Sequence, residues 1–88
     1  MNAKRKQILE KLRTLLEPWI DSGQTDHVSE RTNLLADIGI DSVGILQLVL
    51  GVEDEFGITI KDHELESDVF SQMGNFIDII ESRINENN

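Results

Sequence analysis

There is no cysteine among the 88 residues, which excludes disulfide staples and thiolate–zinc sites and leaves apolar packing to hold the fold. No apolar run is long enough for a membrane span or a secretion signal, and Met1 to Lys6 are mainly polar and charged, so a soluble cytoplasmic protein is expected. No stretch shows the alternation of a half-buried strand. Neither His27 nor His63 lies in a recognisable catalytic motif, and phosphate-binding loops are missing too. With no nucleophile–base pair or metal site to work with, a stand-alone enzyme is not expected.

Basic residues are scarce and unevenly placed. Seventeen acids face eight bases, for a net charge of −9. Five of the bases (Lys4, Arg5, Lys6, Lys11 and Arg13) fall in the first thirteen positions, and beyond them sixteen acids meet only three bases. Such a surface repels nucleic acid and anionic lipid and attracts basic protein surfaces. Acidity alone also keeps a small protein soluble, so it does not by itself single out a function.

What the chain does have is helical periodicity. Ile8, Leu9, Leu12, Leu15, Leu16 and Trp19 recur at three-four spacing and predict a helix from Lys4 to about Trp19, with Pro18 stopping or kinking it near its end. A polar loop over residues 21–33 is long for a compact domain and expected to be mobile. A second helix is predicted from Ser42 to about Phe56, with Asp41 as its N-cap and Gly57 as its stop. An extended piece at 58–60 leads to a short helix from Asp62 to about Ser67. The last helix, starting near Ser71, should bury Met73, Phe76, Ile77, Ile80 and Ile84. Gly74 in its first turn costs about 1 kcal/mol relative to alanine, so packing must hold it. The expected architecture is all-α, a four-helix bundle of three longer helices and one short one, and the length suits one domain over residues 1–88.

The second helix has one apolar row too many. Ile45, Leu48, Val49, Val52 and Phe56 make an ordinary core face. Val43, Leu46 and Leu50 form another row turned away from it, with Gln47, Glu53 and Asp54 alongside. A central helix in a small bundle is often buried on most sides, but two acids limit how much of this face can be covered. An outward apolar row rimmed by acids predicts a docking surface for a partner protein.

At the mouth of that helix stands Ser42, in the segment Asp37-Ile38-Gly39-Ile40-Asp41-Ser42-Val43. Asp-Ser before an apolar run ordinarily means helix capping. No lysine adjoins Ser42, so any chemistry on it must come from another protein. A helix N-terminus does suit a phosphate, because its free N–H groups and dipole favour an anion.

This segment resembles the attachment motif of the acyl carrier protein family, in which Asp-Ser-Leu follows an Asp-Leu-Gly-x lead-in. The resemblance continues through Leu48, Val49, Glu53, Asp54, Glu55, Phe56, Gly57 and Ile58 to Ile60, covering residues 34–60 closely and the flanking helices in pattern. It implies a four-helix bundle whose serine, here Ser42, receives 4′-phosphopantetheine from a phosphopantetheinyl transferase that uses coenzyme A. The arm's thiol then holds acyl groups as thioesters, which gives a reactive sulfur to a chain without cysteine. Asp41 would assist the transferase by position and charge, and the second helix would meet partners through Val43, Leu46, Gln47, Leu50, Glu53 and Asp54. The implied partners are that transferase, an acyl-loading ligase or transferase, and acyl-processing enzymes of fatty acid, polyketide or related biosynthesis with basic docking surfaces. The carrier itself is expected to be a monomer with no metal site.

Three positions depart from the housekeeping fatty-acid carriers. Val43 replaces the usual leucine, Gly44 stands where an acid is common, and Gln47 stands where glutamate is common. The chain is thus expected to serve a different partner set. Serine-x-glycine followed by Gln47 also resembles aminoacyl carriers, D-alanyl carrier proteins among them, that are loaded by adenylating ligases. The absence of a Gly-Gly before the serine speaks against a typical peptidyl carrier. Leu65, where a smaller residue is usual near the acyl pocket, would disfavour a long buried acyl chain if it points inward. Two other classes compete. A calcium loop beginning at Asp37 fails, because Gly39, Ser42 and Leu48 fall where oxygen, glycine and carboxylate are needed. A non-covalent acidic interaction module, with Ser42 as a cap only, does not account for the whole 37–56 constellation.

Overall fold

The computed structural model describes residues 3–21 and 23–87. It contains α1 (Ala3–Leu15), α2 (Ser42–Phe56), the short α3 (Ser67–Ser71) and α4 (Met73–Asn87), with 3₁₀ turns at Glu17–Trp19, Thr25–His27 and Asp62–Glu64. There is no β-strand among the described residues. The chain is therefore all-α, with three long helices and one short one, as the periodicity predicts.

The long helices meet along their three-four stripes. Ile8, Leu12 and Leu16 from the first arm, Leu48 and Val52 from α2, and Phe76, Ile77 and Ile80 from α4 share one core, and each is at most 2% exposed. Leu34 from the long connection joins them, and Phe70 of α3 tilts onto Phe76 with ring centroids 5.4 Å apart. Ile45, Phe56 and Ile84 are half-buried at the edge of this core rather than inside it.

Four local expectations change. The first α-helix ends at Leu15, not near Trp19, and the chain continues as the 3₁₀ turn Glu17–Trp19. Pro18 has no N–H to give and disfavours α geometry in the residue before it. The third helix lies later than predicted: residues 62–64 form only a 3₁₀ turn, and α3 begins at Ser67. Ser71 ends α3 instead of starting the last helix, because Gln72 is extended and separates the two. Finally, the second half of the long loop is tied down. The N–H groups of Met73 and Gly74 donate to the carbonyls of Thr32 and Glu30, both at 2.8 Å, and Leu34 N–H donates to Phe70 O at 2.9 Å.

Those bonds cap α4 with loop backbone and explain Gly74. A Cβ there would stand 3.3 Å from Glu30 O and 3.1 Å from its Oε1, so the cost of glycine is offset by a close backbone approach. Arg5 holds the same corner. Its guanidinium reaches Glu30 and Asp78 at 2.6 Å and Glu81 at 3.4 Å. The Glu30 bond, helped by Asp78, strengthens its grip on the proton against the opposing effect of burial.

A second ion pair predicts an acid response. Glu64 accepts from Arg83 and from Lys61 N–H, and Arg83, chiefly, holds its carboxyl below the ordinary range although burial works the other way. A lowered folded-state pKa adds stability above the unfolded value of about 4.3, and that stability disappears as pH falls through the folded value. Glu64→Gln should therefore be less stable than the parent at neutral pH, with the difference narrowing below about pH 4. Urea unfolding at a series of pH values reads this directly, and a pH-independent gap would contradict it.

Candidate functional site at the start of α2

Asp41, extended at φ −87° and ψ −179°, is the N-cap of α2, and its Oδ1 accepts from Gly44 N–H at 2.8 Å. Its carbonyl accepts from Ile45 N–H at 2.8 Å. Gly39 makes the preceding turn at φ +81°, a region that a side chain disfavours. At the far end Gly57 closes the helix at φ +64°, in left-handed geometry. Both ends of the helix thus rest on residues that the sequence marks for those jobs.

This frame puts Ser42 at the first position of a 15-residue helix with its side chain exposed. Its hydroxyl makes no hydrogen bond to another described residue, and neither do the N–H groups of Ser42 and Val43. The first turn of α2 holds no acid. Asp41 brings one negative charge close by, but that carboxylate is engaged with Gly44. The residues present therefore fit a phosphodiester on Ser42: an accessible oxygen, free donors and the positive end of a long helix.

Gly44 is buried, and the reason is tertiary. A Cβ at this position would lie 2.6 Å from Ile40 Cγ2, 3.1 Å from Trp19 Nε1 and 3.3 Å from Asp41 Oδ1. Trp19, delivered by the 3₁₀ turn after α1, closes over the first turn of α2. Nothing in the local pattern announces that contact.

The outward row lies where periodicity puts it. Val43, Leu46 and Leu50 are 63%, 58% and 56% exposed, with Leu35 the other exposed large hydrophobic residue among those described. Gln47 and Asp54 are exposed beside the row. Glu53 is half-buried and turned to another task, since its Oε2 accepts from Ile60 N–H at 2.8 Å. Glu55 pairs with Lys11 at 2.8 Å. His27 and His63 are exposed, and Leu65 is half-buried against the core. Among the described residues no group of three or more His, Asp or Glu side chains gathers to hold a metal, and no helix is long and apolar enough to cross a membrane.

Residues 7–77 match the protein family described as "Phosphopantetheine attachment site". The acyl carrier protein of Thermotoga maritima is 29% identical over 82 residues, covering 93% of this chain and 98% of that protein. The acyl carrier protein of Zymomonas mobilis is 42% identical over 43 residues, 49% of this chain and 55% of its own length. That of Lactobacillus acidophilus is 42% identical over 41 residues, 47% of this chain and 51% of its own.

Proposed function

This chain belongs to the acyl carrier protein family, whose shared unit is the phosphopantetheine attachment site, and from that premise we propose that Ser42 bears the 4′-phosphopantetheine arm. The family carries groups rather than transforming them. The observation behind the assignment is the placement of Ser42: an exposed hydroxyl at the first position of a long helix, next to a capping aspartate. When bound, the arm supplies the thiol on which acyl groups ride as thioesters.

The chain's own residues do the rest. Asp41 fixes the first turn of α2 and so sets the backbone from which Ser42 projects to the modifying enzyme. Val43, Leu46 and Leu50 offer an apolar strip to the transferase, the loading enzyme and the acyl-processing enzymes of fatty acid, polyketide or related biosynthesis. Gln47 and Asp54 rim that strip, while Glu53 adds charge at its edge and also fastens the chain after α2. The net charge of −9 steers partners with basic surfaces and keeps copies of the carrier apart, in line with a monomer working in the cytoplasm. The match over residues 7–77 supports reading 1–88 as one such domain.

The test is the intact mass of the protein before and after incubation with coenzyme A, magnesium and a broad-specificity phosphopantetheinyl transferase. A gain of one phosphopantetheine, absent in a folded Ser42→Ala variant, is the expected result. No gain in well-folded, initially unmodified protein would leave Ser42 as an ordinary first-turn residue behind the Asp41 cap, and the chain as a non-covalent interaction module.

A further inference from the structure

A cleft of about 490 Å³ opens between the Trp19–Asp21 corner, the turn around His27, and residues 37–38. Its size falls in the range of small-molecule sites. Two features tie it to Ser42. Trp19, which lines the cleft, also covers the first turn of α2, its Nε1 standing 3.1 Å from where a Gly44 Cβ would be. Ile38, also in the lining, lies four residues before Ser42, a separation of at most about 14 Å even for extended chain. An arm of phosphate, pantoyl, β-alanyl and cysteamine units spans a comparable distance.

The lining selects among cargoes. Asp21 and Asp37 are its two acidic lining residues, His27 is its one basic lining residue, and no lysine or arginine lines it. One Asp37 oxygen accepts from Asn33 N–H at 2.9 Å, which leaves the other for a ligand. The Trp19 indole N–H has no hydrogen-bond acceptor among the described residues. The apolar wall is confined to Trp19, Ile20, Val28 and Ile38, so a plain alkyl chain gains little by entering. An ammonium group gains two carboxylates and the neighbouring Trp19 side chain. We infer that this cleft seats the end of a short arm-borne cargo carrying an amino group, with Trp19 and Asp21 as its contacts. The inference rests on Ser42 being the attachment point, and it makes an aminoacyl-type cargo the one that this chain's own surface recognises.

The test loads Ser42 enzymatically with two coenzyme A analogues ending in stable amides, one with a β-alanyl amine and one with its N-acetyl counterpart. Intact mass first establishes loading. The indole ¹H–¹⁵N resonance is then followed, and it is unambiguous because Trp19 is the only tryptophan. The amine-ended arm should move that resonance about threefold or more beyond its acetylated twin, as expected for one partly exposed cation contact. Asp21→Asn, at an exposed position, should erase most of the difference. Equal shifts from the two arms, or shifts confined to residues around Leu65 and Val69, would overturn the cleft while leaving Ser42 as the attachment point. Absence of any mass gain would overturn the attachment point and the cleft with it.

Discussion

Leu46→Glu should cut the kcat/KM of a phosphopantetheinyl transferase or loading enzyme for this carrier by roughly thirtyfold, the equivalent of about 2 kcal/mol. Its thermal unfolding should hardly change. Leu46 lies in the middle of the exposed row, 58% open to solvent between Val43 and Leu50, so a carboxylate there desolvates nothing in the free protein. In a complex the same carboxylate would be buried against an apolar seat without a guaranteed partner, which is costly. The control is Glu10→Gln, which removes a charge from an exposed site on α1 and should leave kcat/KM within about twofold, the effect of a single peripheral charge. Equal losses from both would mean that overall charge, and not the apolar row, governs the encounter.

The second large effect concerns the fold around the serine. Gly44→Glu exchanges a helical glycine for an acid, and on local rules it should help. It relieves a helical glycine and places a carboxylate in the first turn, together about 1–2 kcal/mol favourable. The structure predicts the opposite sign. The new Cβ would overlap Ile40 Cγ2 at 2.6 Å, and Ile40 is a buried, β-branched side chain that cannot swing away cheaply. It would also crowd the Trp19 indole and the Asp41 cap. Overpacking of 1–3 kcal/mol plus a weakened cap of about 1 kcal/mol outweighs the gain, for a net loss of about 1–2 kcal/mol. Urea unfolding of Gly44→Glu with and without Trp19→Ala separates the causes: part of the loss should vanish when the indole is gone. A stabilised Gly44→Glu variant would contradict the packing described here.

The contrast between these two positions shows what could be read in advance. The row of Val43, Leu46 and Leu50 follows from helical period alone, and so do the buried faces of α2 and α4. The limits of α2 were legible because Asp41 and Gly57 are residue-level signals whose chemistry acts within one turn. α3 was misplaced because five residues carry too little periodicity, and residues 62–67 are rich in groups that suit caps and turns equally well. The corner that caps α4 was not legible, since it depends on loop carbonyls of residues 30 and 32 meeting N–H groups some forty positions later. Non-local contact likewise explains why Gly44 read only as a missing charge. Its real constraint is an indole from another element. Glu53, grouped by spacing with the docking face, spends an oxygen on Ile60 N–H, a bond that helical period does not encode.

Trypsin makes the central claim easy to test, because cleavage after Arg31 and Lys61 releases residues 32–61 as one peptide whose only serine is Ser42. After modification with coenzyme A and a phosphopantetheinyl transferase, tandem mass spectrometry of the digest should find the added group on that peptide, at Ser42. The group on a different serine-bearing peptide, or on none in folded and initially unmodified protein, would contradict the account.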